Sequence, residues 1–462
     1  MVPYPSEVTE ASGELAVAGS INVVTADGAP SSAAAVNALV TALDLAQDAD
    51  AAVALTLELD PSVDQGAEAY RLTIDSAVTV RAATDAGLFY GVQTLRQLFP
   101  AVASDAYALP RLVIRDSPEF GWRGSMIDVA RTFLPLDYLK AHVERMALFK
   151  LNKLHLHLSD DQGWRLEIKS WPRLALVGGS TDVRGGPGGY YTQEDMRELV
   201  TFAALHQVEI IPEIDLPGHT QAALASYPEL ACDDVTNLGL YSGTEVGFSK
   251  LCLTKPDVIY PFVEDVLREV ADIFPGRYLH IGGDEIKDPL YSEFIERADA
   301  IAARLGREII AWEEASVANV RTTALLQLWN DGYDIQPALD RGNHLILSPC
   351  SFTYLDHGNY EAQPGVYSWC RAEGIPLERT YAFNPQSFTQ AVGVEAPVWS
   401  ELVEDEATAD NRMWPRLAAV AEVAWSTEAN RDYGRFTLRL GALRPHLDAL
   451  GIQYFREPQL GW

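Results

Sequence analysis

The sequence predicts an α/β protein, a (β/α)8 TIM barrel preceded by a small α+β domain, and three observations carry that expectation. From about residue 117 onward, a short apolar run, a loop and a helical stretch recur about eight times over roughly 300 residues, the spacing of such a barrel. The ends of those runs carry acids, an Arg, a His, a Tyr and several Trp in succession. Before residue 117 the strands follow one another with a hairpin instead of alternating with helices. The expected domains are therefore 1–116, α+β, and 117–462, a barrel with a C-terminal helix. A doubly wound sheet gives a similar alternation, so the strand-end residues carry more weight than the count.

In the first domain, Ala52 to Leu59 reads as a strand, and Ala69 to Ile74 with Ala77 to Ala82 as a hairpin about Asp75-Ser76. A helix follows. Thr84 or Asp85 caps it, Leu88, Val92, Leu95 and Phe99 recur at helical spacing, and Pro100 stops it. No constellation of catalytic type falls here, and the apolar stripe reads as core.

The second domain opens with a strand from Trp122 to Asp128 and a helix from Leu136 to Phe149. Further strands are expected at Lys153 to Leu158, Val208 to Glu213, Tyr278 to Gly283, Glu308 to Trp312, Ala324 to Trp329, His344 to Ser348 and Val394 to Trp399. The first leads to Asp128 and Arg131, the second to Asp160-Asp161, and the third to Asp215 and His219. Asp284-Glu285 follows the fourth, Trp312 ends the fifth and Trp329 the sixth. The seventh leads to Tyr354 and Asp356, the eighth to Trp399 and Glu401. Singly, an Asp–Arg pair or a Trp has a bland structural explanation. Together, all fall where this fold places its active site.

Composition narrows the function. With 462 residues, 48% of them apolar, the chain can bury a large core. A net charge of −30, from 65 acids against 35 bases, argues against nucleic acid or an anionic membrane as partner. No apolar run is long enough to span a bilayer. The start, Met1-Val2-Pro3-Tyr4-Pro5, lacks the basic and apolar regions of a signal peptide, so the expectation is a cytoplasmic protein or a secreted one whose signal has been removed. Four cysteines, Cys232, Cys252, Cys350 and Cys370, form no Cys-x-x-Cys pair. Their equal short spacings suit two local disulfides, with four buried thiols as the alternative.

The fourth strand end is the most informative stretch. Tyr278 to Ile281 is apolar enough to be buried, Gly282-Gly283 permits a sharp turn, and two carboxylates follow at once. Neighbouring acids raise one another's pKa, one way to keep a carboxyl protonated for general acid work. A solvated acidic loop, or the Gly-Gly-Asp-Glu signature of diguanylate cyclases, would account for the stretch in isolation. The aromatic and charged strand ends favour a sugar, whose apolar face stacks on indoles while its hydroxyls bond to charged groups. Gly185-Gly186-Pro187-Gly188-Gly189 lacks the Lys and Ser or Thr of a phosphate loop and reads as surface.

These residues resemble the family 20 glycoside hydrolases, the β-N-acetylhexosaminidases, and the actinobacterial members in particular. The motifs are Trp122-Arg123-Gly124 running to Asp128-Val129-Ala130-Arg131, His155 to Arg165, Pro212 to Thr220, His280 to Glu285 and Val394 to Glu401. Ile286 stands where the cyclase signature has Phe, and Thr132 stands where many family members have His. The resemblance implies exo-hydrolysis of terminal β-linked GlcNAc or GalNAc with retention, the substrate's own 2-acetamido oxygen acting as nucleophile. It implies Glu285 as general acid/base, Asp284 at the acetamido N–H, Tyr354 at its oxygen, and Asp160 with His219 as a relay to Glu285. Trp312, Trp329 and Trp399 would wall the pocket, and Arg131, Asp356 and Glu401 would bind hydroxyls. It implies neither cofactor nor metal, a small carbohydrate as partner, and a monomer or homodimer. The rivals are a metal-dependent barrel hydrolase built on His219, Asp215 and Asp160, and a sugar-binding protein without catalysis. The intact Asp284-Glu285 pair with Tyr354 speaks against the latter.

Overall fold

A computed structural model describes residues 1–462. Its first sheet has seven strands in the order Glu7–Ala18, Ala106–Asp116, Tyr70–Ile74, Val78–Ala82, Ala54–Leu59, Ser20–Val24 and Ala46–Gln47. Pairing is antiparallel as far as the expected hairpin and parallel beyond it. The expected helix spans Asp85–Leu98, and the Thr84 side chain accepts from the Gly87 N–H at its start. It lies on the sheet and is buried over most of its length, because its outer side meets the barrel helix Leu136–Leu148. A second helix, Pro30–Ala42, packs beside it and was not anticipated from the sequence.

The second half closes into a barrel of eight parallel strands: β1 (Trp122–Asp128), β2 (Lys153–His157), β3 (Glu209–Glu213), β4 (Tyr278–His280), β5 (Glu308–Trp312), β6 (Leu325–Leu328), β7 (His344–Leu347) and β8 (Ala391–Val398). Each expected strand is present. β4 is shorter than expected, since Gly282 and Gly283 take φ of +67° and +99° and leave the strand conformation. The barrel interior is layered. Trp122, Ile211, Ile310, Leu325 and Ile346 form an apolar floor. Barrel interiors are usually filled by such branched side chains throughout. Here the next layer is ionic, because the register sets Glu213 of β3 level with His157 of β2 and His280 of β4.

Charged seams join sheet and barrel. Lys150 Nζ lies 2.9 Å from Asp116 Oδ2, and that carboxylate also accepts from Tyr70 Oη at 2.6 Å and Trp425 Nε1 at 3.0 Å. Arg123 pairs with Glu68 at 2.8 Å. All four cysteines are bridged, Cys232–Cys252 and Cys350–Cys370, each across a sequence separation of 20. Closing loops of that length stabilises by about 3 kcal/mol apiece in the chain-entropy model. No helix is long and apolar enough to cross a membrane.

Candidate active site

The C-terminal ends of the eight strands surround a cavity of about 360 Å³. Arg131, His219, Asp284, Glu285, Trp312, Trp329, Tyr354, Asp356, Trp399 and Glu401 line it, all of them selected from the sequence. Asp160 lies one layer below, fully enclosed behind His219. Thr244, Val246, Tyr367 and Trp369 complete the mouth and had not been selected.

The backbone turn after β4 makes the acid pair possible. A Cβ on Gly282 would stand 1.8 Å from Asp215 Oδ1, so only glycine fits there. The same oxygen accepts the Gly283 N–H at 3.1 Å. Glu285 then takes φ of +57°, and His219 across from it +52°. Left-handed backbone at non-glycine residues costs of order 1–3 kcal/mol and persists only where packing enforces it. Glu285 is held by the Glu314 side chain, whose Oε1 accepts the Glu285 N–H at 3.3 Å while Oε2 accepts the Trp329 indole N–H at 3.3 Å.

Asp284 and Glu285 face the same imidazole. His219 Nε2 is 3.4 Å from Glu285 Oε2 and 3.7 Å from Asp284 Oδ2. On the ring's far side, Nδ1 is 3.3 Å from Asp160 Oδ1. Asp160 Oδ2 lies 2.8 Å from Arg131 Nη2 and 2.8 Å from His157 Nε2. The chain continues across the barrel. His157 Nδ1 is 2.6 Å from Glu213 Oε2, His155 Nε2 is 3.0 Å from the same oxygen, and His155 Nδ1 is 2.7 Å from Glu395 Oε1. Glu213 also accepts from Trp312 Nε1 at 2.9 Å, so this ionic layer fixes an indole of the wall.

Electrostatics follow the geometry. Burial alone would depress the His219 imidazole, but Asp160 and Asp284 hold its pKa well above the ordinary value. Burial alone would raise Asp160, but Arg131 and His219 hold it far below the usual carboxylate range. Burial raises the Asp284 carboxyl, with His219 opposing and the Glu285 carboxylate adding to the rise. Burial likewise pushes Glu401 up to about 7 against the pull of Arg131. Asp284 Oδ1, Asp356 Oδ1 and Glu401 Oε2 are buried without a partner in a cavity that could supply one. Such groups cost free energy unless a ligand satisfies them.

Opposite the acids stand the aromatics. Trp312 and Trp399 have ring centres 5.8 Å apart, and Tyr354 lies 6.5 Å from Trp399 and 6.4 Å from Trp329. Arg131 sits over Trp399 at 5.0 Å. Its orientation owes nothing to Thr132, whose N–H donates to Ser400 Oγ at 2.9 Å. Asp128, Asp160 and Gln162 hold it instead.

Asp160, Asp161 and His219, and separately Asp215, His219 and Asp284, offer ligand atoms within 4.8 Å of one another. Asp160 is a poor metal ligand, because Arg131, His157, His219 and the Asp161 N–H already occupy its oxygens. The raised His219 favours a proton on the nitrogen a metal would need.

Comparison with known proteins places the chain in a family. The model of the glycosyl hydrolase family 20 catalytic domain matches residues 120–293 and 288–428, and that of the family's domain 2 matches residues 1–117. The chain belongs to glycosyl hydrolase family 20. It is thus a glycoside hydrolase. A β-N-acetylhexosaminidase of Cellulomonas fimi is 37% identical over 420 residues, covering 88% of this chain and 84% of its own. The Streptomyces plicatus N-acetyl-β-hexosaminidase, solved in complex with Thio-NAglucal, superposes with a TM-score of 0.93 at 39% identity over 100% of this chain and 97% of that one. A mutant of the S. plicatus enzyme, solved in complex with product GlcNAc, superposes at 0.92 with 40% identity, covering 100% of this chain and 97% of its own.

Sequence reasoning missed a second acid pair in this family 20 site. Glu313, beside Glu314, is fully enclosed and accepts the Trp329 and Asn330 N–H groups at 2.6 and 3.1 Å. Burial pushes its carboxyl up to about 9, and burial with Asp284 takes Glu314 to about 7. A folded pKa above the unfolded value means the native state keeps a proton that the unfolded chain releases. The contribution is full below about pH 4.5 and is lost as pH rises toward 9. Tm measured from pH 5 to 9 is expected to fall more steeply for the native protein than for Glu313→Gln. Equal slopes would show that Glu313 is ionised in the folded state.

Proposed function

We propose that this family 20 enzyme is a retaining exo-β-N-acetylhexosaminidase, releasing terminal non-reducing GlcNAc or GalNAc from oligosaccharides, chitooligosaccharides and glycoconjugates among them, by substrate-assisted catalysis. One observation carries the reading: two adjacent carboxyls and Tyr354 converge on one indole-walled cavity, with His219 bridging the acids to a buried relay. A cavity of about 360 Å³ suits one sugar ring rather than a polymer running through, which supports exo action.

In this reading the sugar's apolar face lies against Trp312, Trp329 and Trp399, and Arg131, Asp356 and Glu401 take its hydroxyls. Glu285 gives its proton to the glycosidic oxygen as that bond breaks, and the 2-acetamido carbonyl oxygen closes on the anomeric carbon. The oxazolinium ion so formed carries positive charge on nitrogen beside Asp284, while Tyr354 holds the attacking oxygen. Water then attacks the anomeric carbon as its bond to the acetamido oxygen breaks, Glu285 accepts a proton from that water, and two inversions give retention. Preorganised negative charge in an enclosed site is worth far more than the same charge in water.

The test is hydrolysis of nitrophenyl β-GlcNAc, β-GalNAc and β-glucoside with and without EDTA. Turnover of the two N-acetyl substrates, undiminished by chelation, is expected. Activity abolished by EDTA and restored by a divalent cation would replace this reading with the metal-dependent one.

A further inference from the structure

Behind the cavity wall, packed against Tyr354 and Trp369, lies a buried imidazole with no part in the chemistry above. His357 directly follows Asp356, and both are buried. Its Nε2 lies 3.3 Å from the backbone N of Cys370, which can only donate. Nε2 is therefore the acceptor, and the ring's proton sits on Nδ1. Nδ1 lies 3.1 Å from Asp356 Oδ2 and donates to it. Asp356 Oδ1 has no protein partner.

A carboxylate turns about a broad, roughly two-fold torsion. The His357 hydrogen bond thus decides which oxygen of Asp356 faces the cavity and at what angle. His357 in turn takes its orientation from Cys370, which the disulfide ties to Cys350 just after β7. The two ends of the loop are pinned as well. Arg416 donates to the carbonyls of Leu355 at 2.6 Å, His357 at 3.0 Å and Ile375 at 2.9 Å. The same loop carries Tyr367 and Trp369 to the mouth, and the Trp369 indole stands 5.0 Å from the His357 ring.

We propose that His357 is a positioning residue that fixes the sugar-binding oxygen of Asp356 and makes its alignment depend on the Cys350–Cys370 disulfide. The proposal rests on the reading that Asp356 takes a substrate hydroxyl. Since it concerns binding of the sugar in ground and transition states alike, its signature is in KM rather than kcat.

Four variants test it, with nitrophenyl β-GlcNAc as substrate and free GlcNAc as competitive inhibitor. H357Q places an acceptor near Cys370 but withdraws the donor from Asp356. KM and the GlcNAc Ki are expected to rise about tenfold, as for loss of a hydrogen bond to a charged group, with kcat within about threefold. H357N puts its amide donor near the position of Nδ1, and both constants should return toward the native values. C350S/C370S, which leaves Cys232–Cys252 in place, should raise KM in the same direction as H357Q. It tests the same contact from the Cys370 side should H357Q not fold. D356N supplies the reference. Native KM and Ki in folded H357Q and C350S/C370S, beside a raised KM in D356N, would overturn the coupling alone. A native KM in D356N would overturn it together with the reading of Asp356. Equal loss of kcat and Tm in H357Q and H357N would reduce His357 to a packing residue.

Discussion

Glu285→Gln is expected to lower kcat on alkyl and oligosaccharide N-acetylhexosaminides by about 10²–10⁴-fold, the usual worth of a general acid. On dinitrophenyl leaving groups, which depart with little help from a proton, the loss in the first step should be much smaller. The substitution keeps the shape of the side chain, its place 3.4 Å from His219 and its backbone hydrogen bond to Glu314, and removes the carboxyl's capacity to give and take a proton. Glu285 is 34% exposed at its side chain, the most open of the acids around His219, so it can reach both the leaving oxygen and incoming water. Equal losses across leaving groups of widely different acidity would assign the proton transfer elsewhere. Added azide offers a second measurement. An anionic nucleophile needs no base, so it should restore turnover of the activated substrate in Glu285→Gln and leave the native enzyme unaffected.

The sequence made the barrel legible because its strands are short buried runs alternating with helices and their ends are chemically loud. β1 is buried at every position, and such a run stands out against amphipathic helices. The mouth was legible for the same reason: indoles and acids placed just past a strand have few structural uses. Three things escaped. The helix Pro30–Ala42 buries Ser31 and Ser32 beside small apolar residues, so its polar and apolar faces scarcely differ. The ionic layer of His155, Glu213, His280 and Glu395 lies on strands inside the barrel. There the alternation of His and Leu in β2 was visible, but not which side faced inward or what stood level with it. That depends on register between strands distant in sequence. The loop from His357 to Ile375 has no periodicity to read, so Trp369 and His357 could be placed only once the disulfide and the Arg416 hydrogen bonds were seen. The acid pair Glu313-Glu314 is different. It follows Trp312 as Asp284-Glu285 follows β4, and the same reasoning would have found it.

The second large effect concerns the nucleophile. If the 2-acetamido group attacks, no carboxylate of the protein needs to, and Asp284 with Tyr354 serves to hold that group in place. Holding a nucleophile at attacking distance beforehand is worth several kcal/mol as effective molarity. The plain β-glucoside, lacking the group altogether, should therefore be essentially inert. A GlcNAc-thiazoline, which mimics the cyclic intermediate, should compete tightly for the cavity. Asp284→Asn should reduce kcat by orders of magnitude while the Ki of GlcNAc changes far less, because the charge matters most once the acetamido nitrogen becomes positive. The surroundings sharpen that expectation. Asp284 is partly buried, its carboxyl is raised by burial and by Glu285, and its buried Oδ1 has no partner in the protein. A carboxylate so placed gains most from a cation forming beside it and little from a neutral ground state. The deciding experiment is incubation with an activated 2-fluoro glycoside, which has no acetamido group. Intact mass should stay unchanged and activity undiminished. A stable glycosyl adduct on Asp284, Asp356 or Glu401 would mean that the protein supplies its own nucleophile, and the labelled residue would name it.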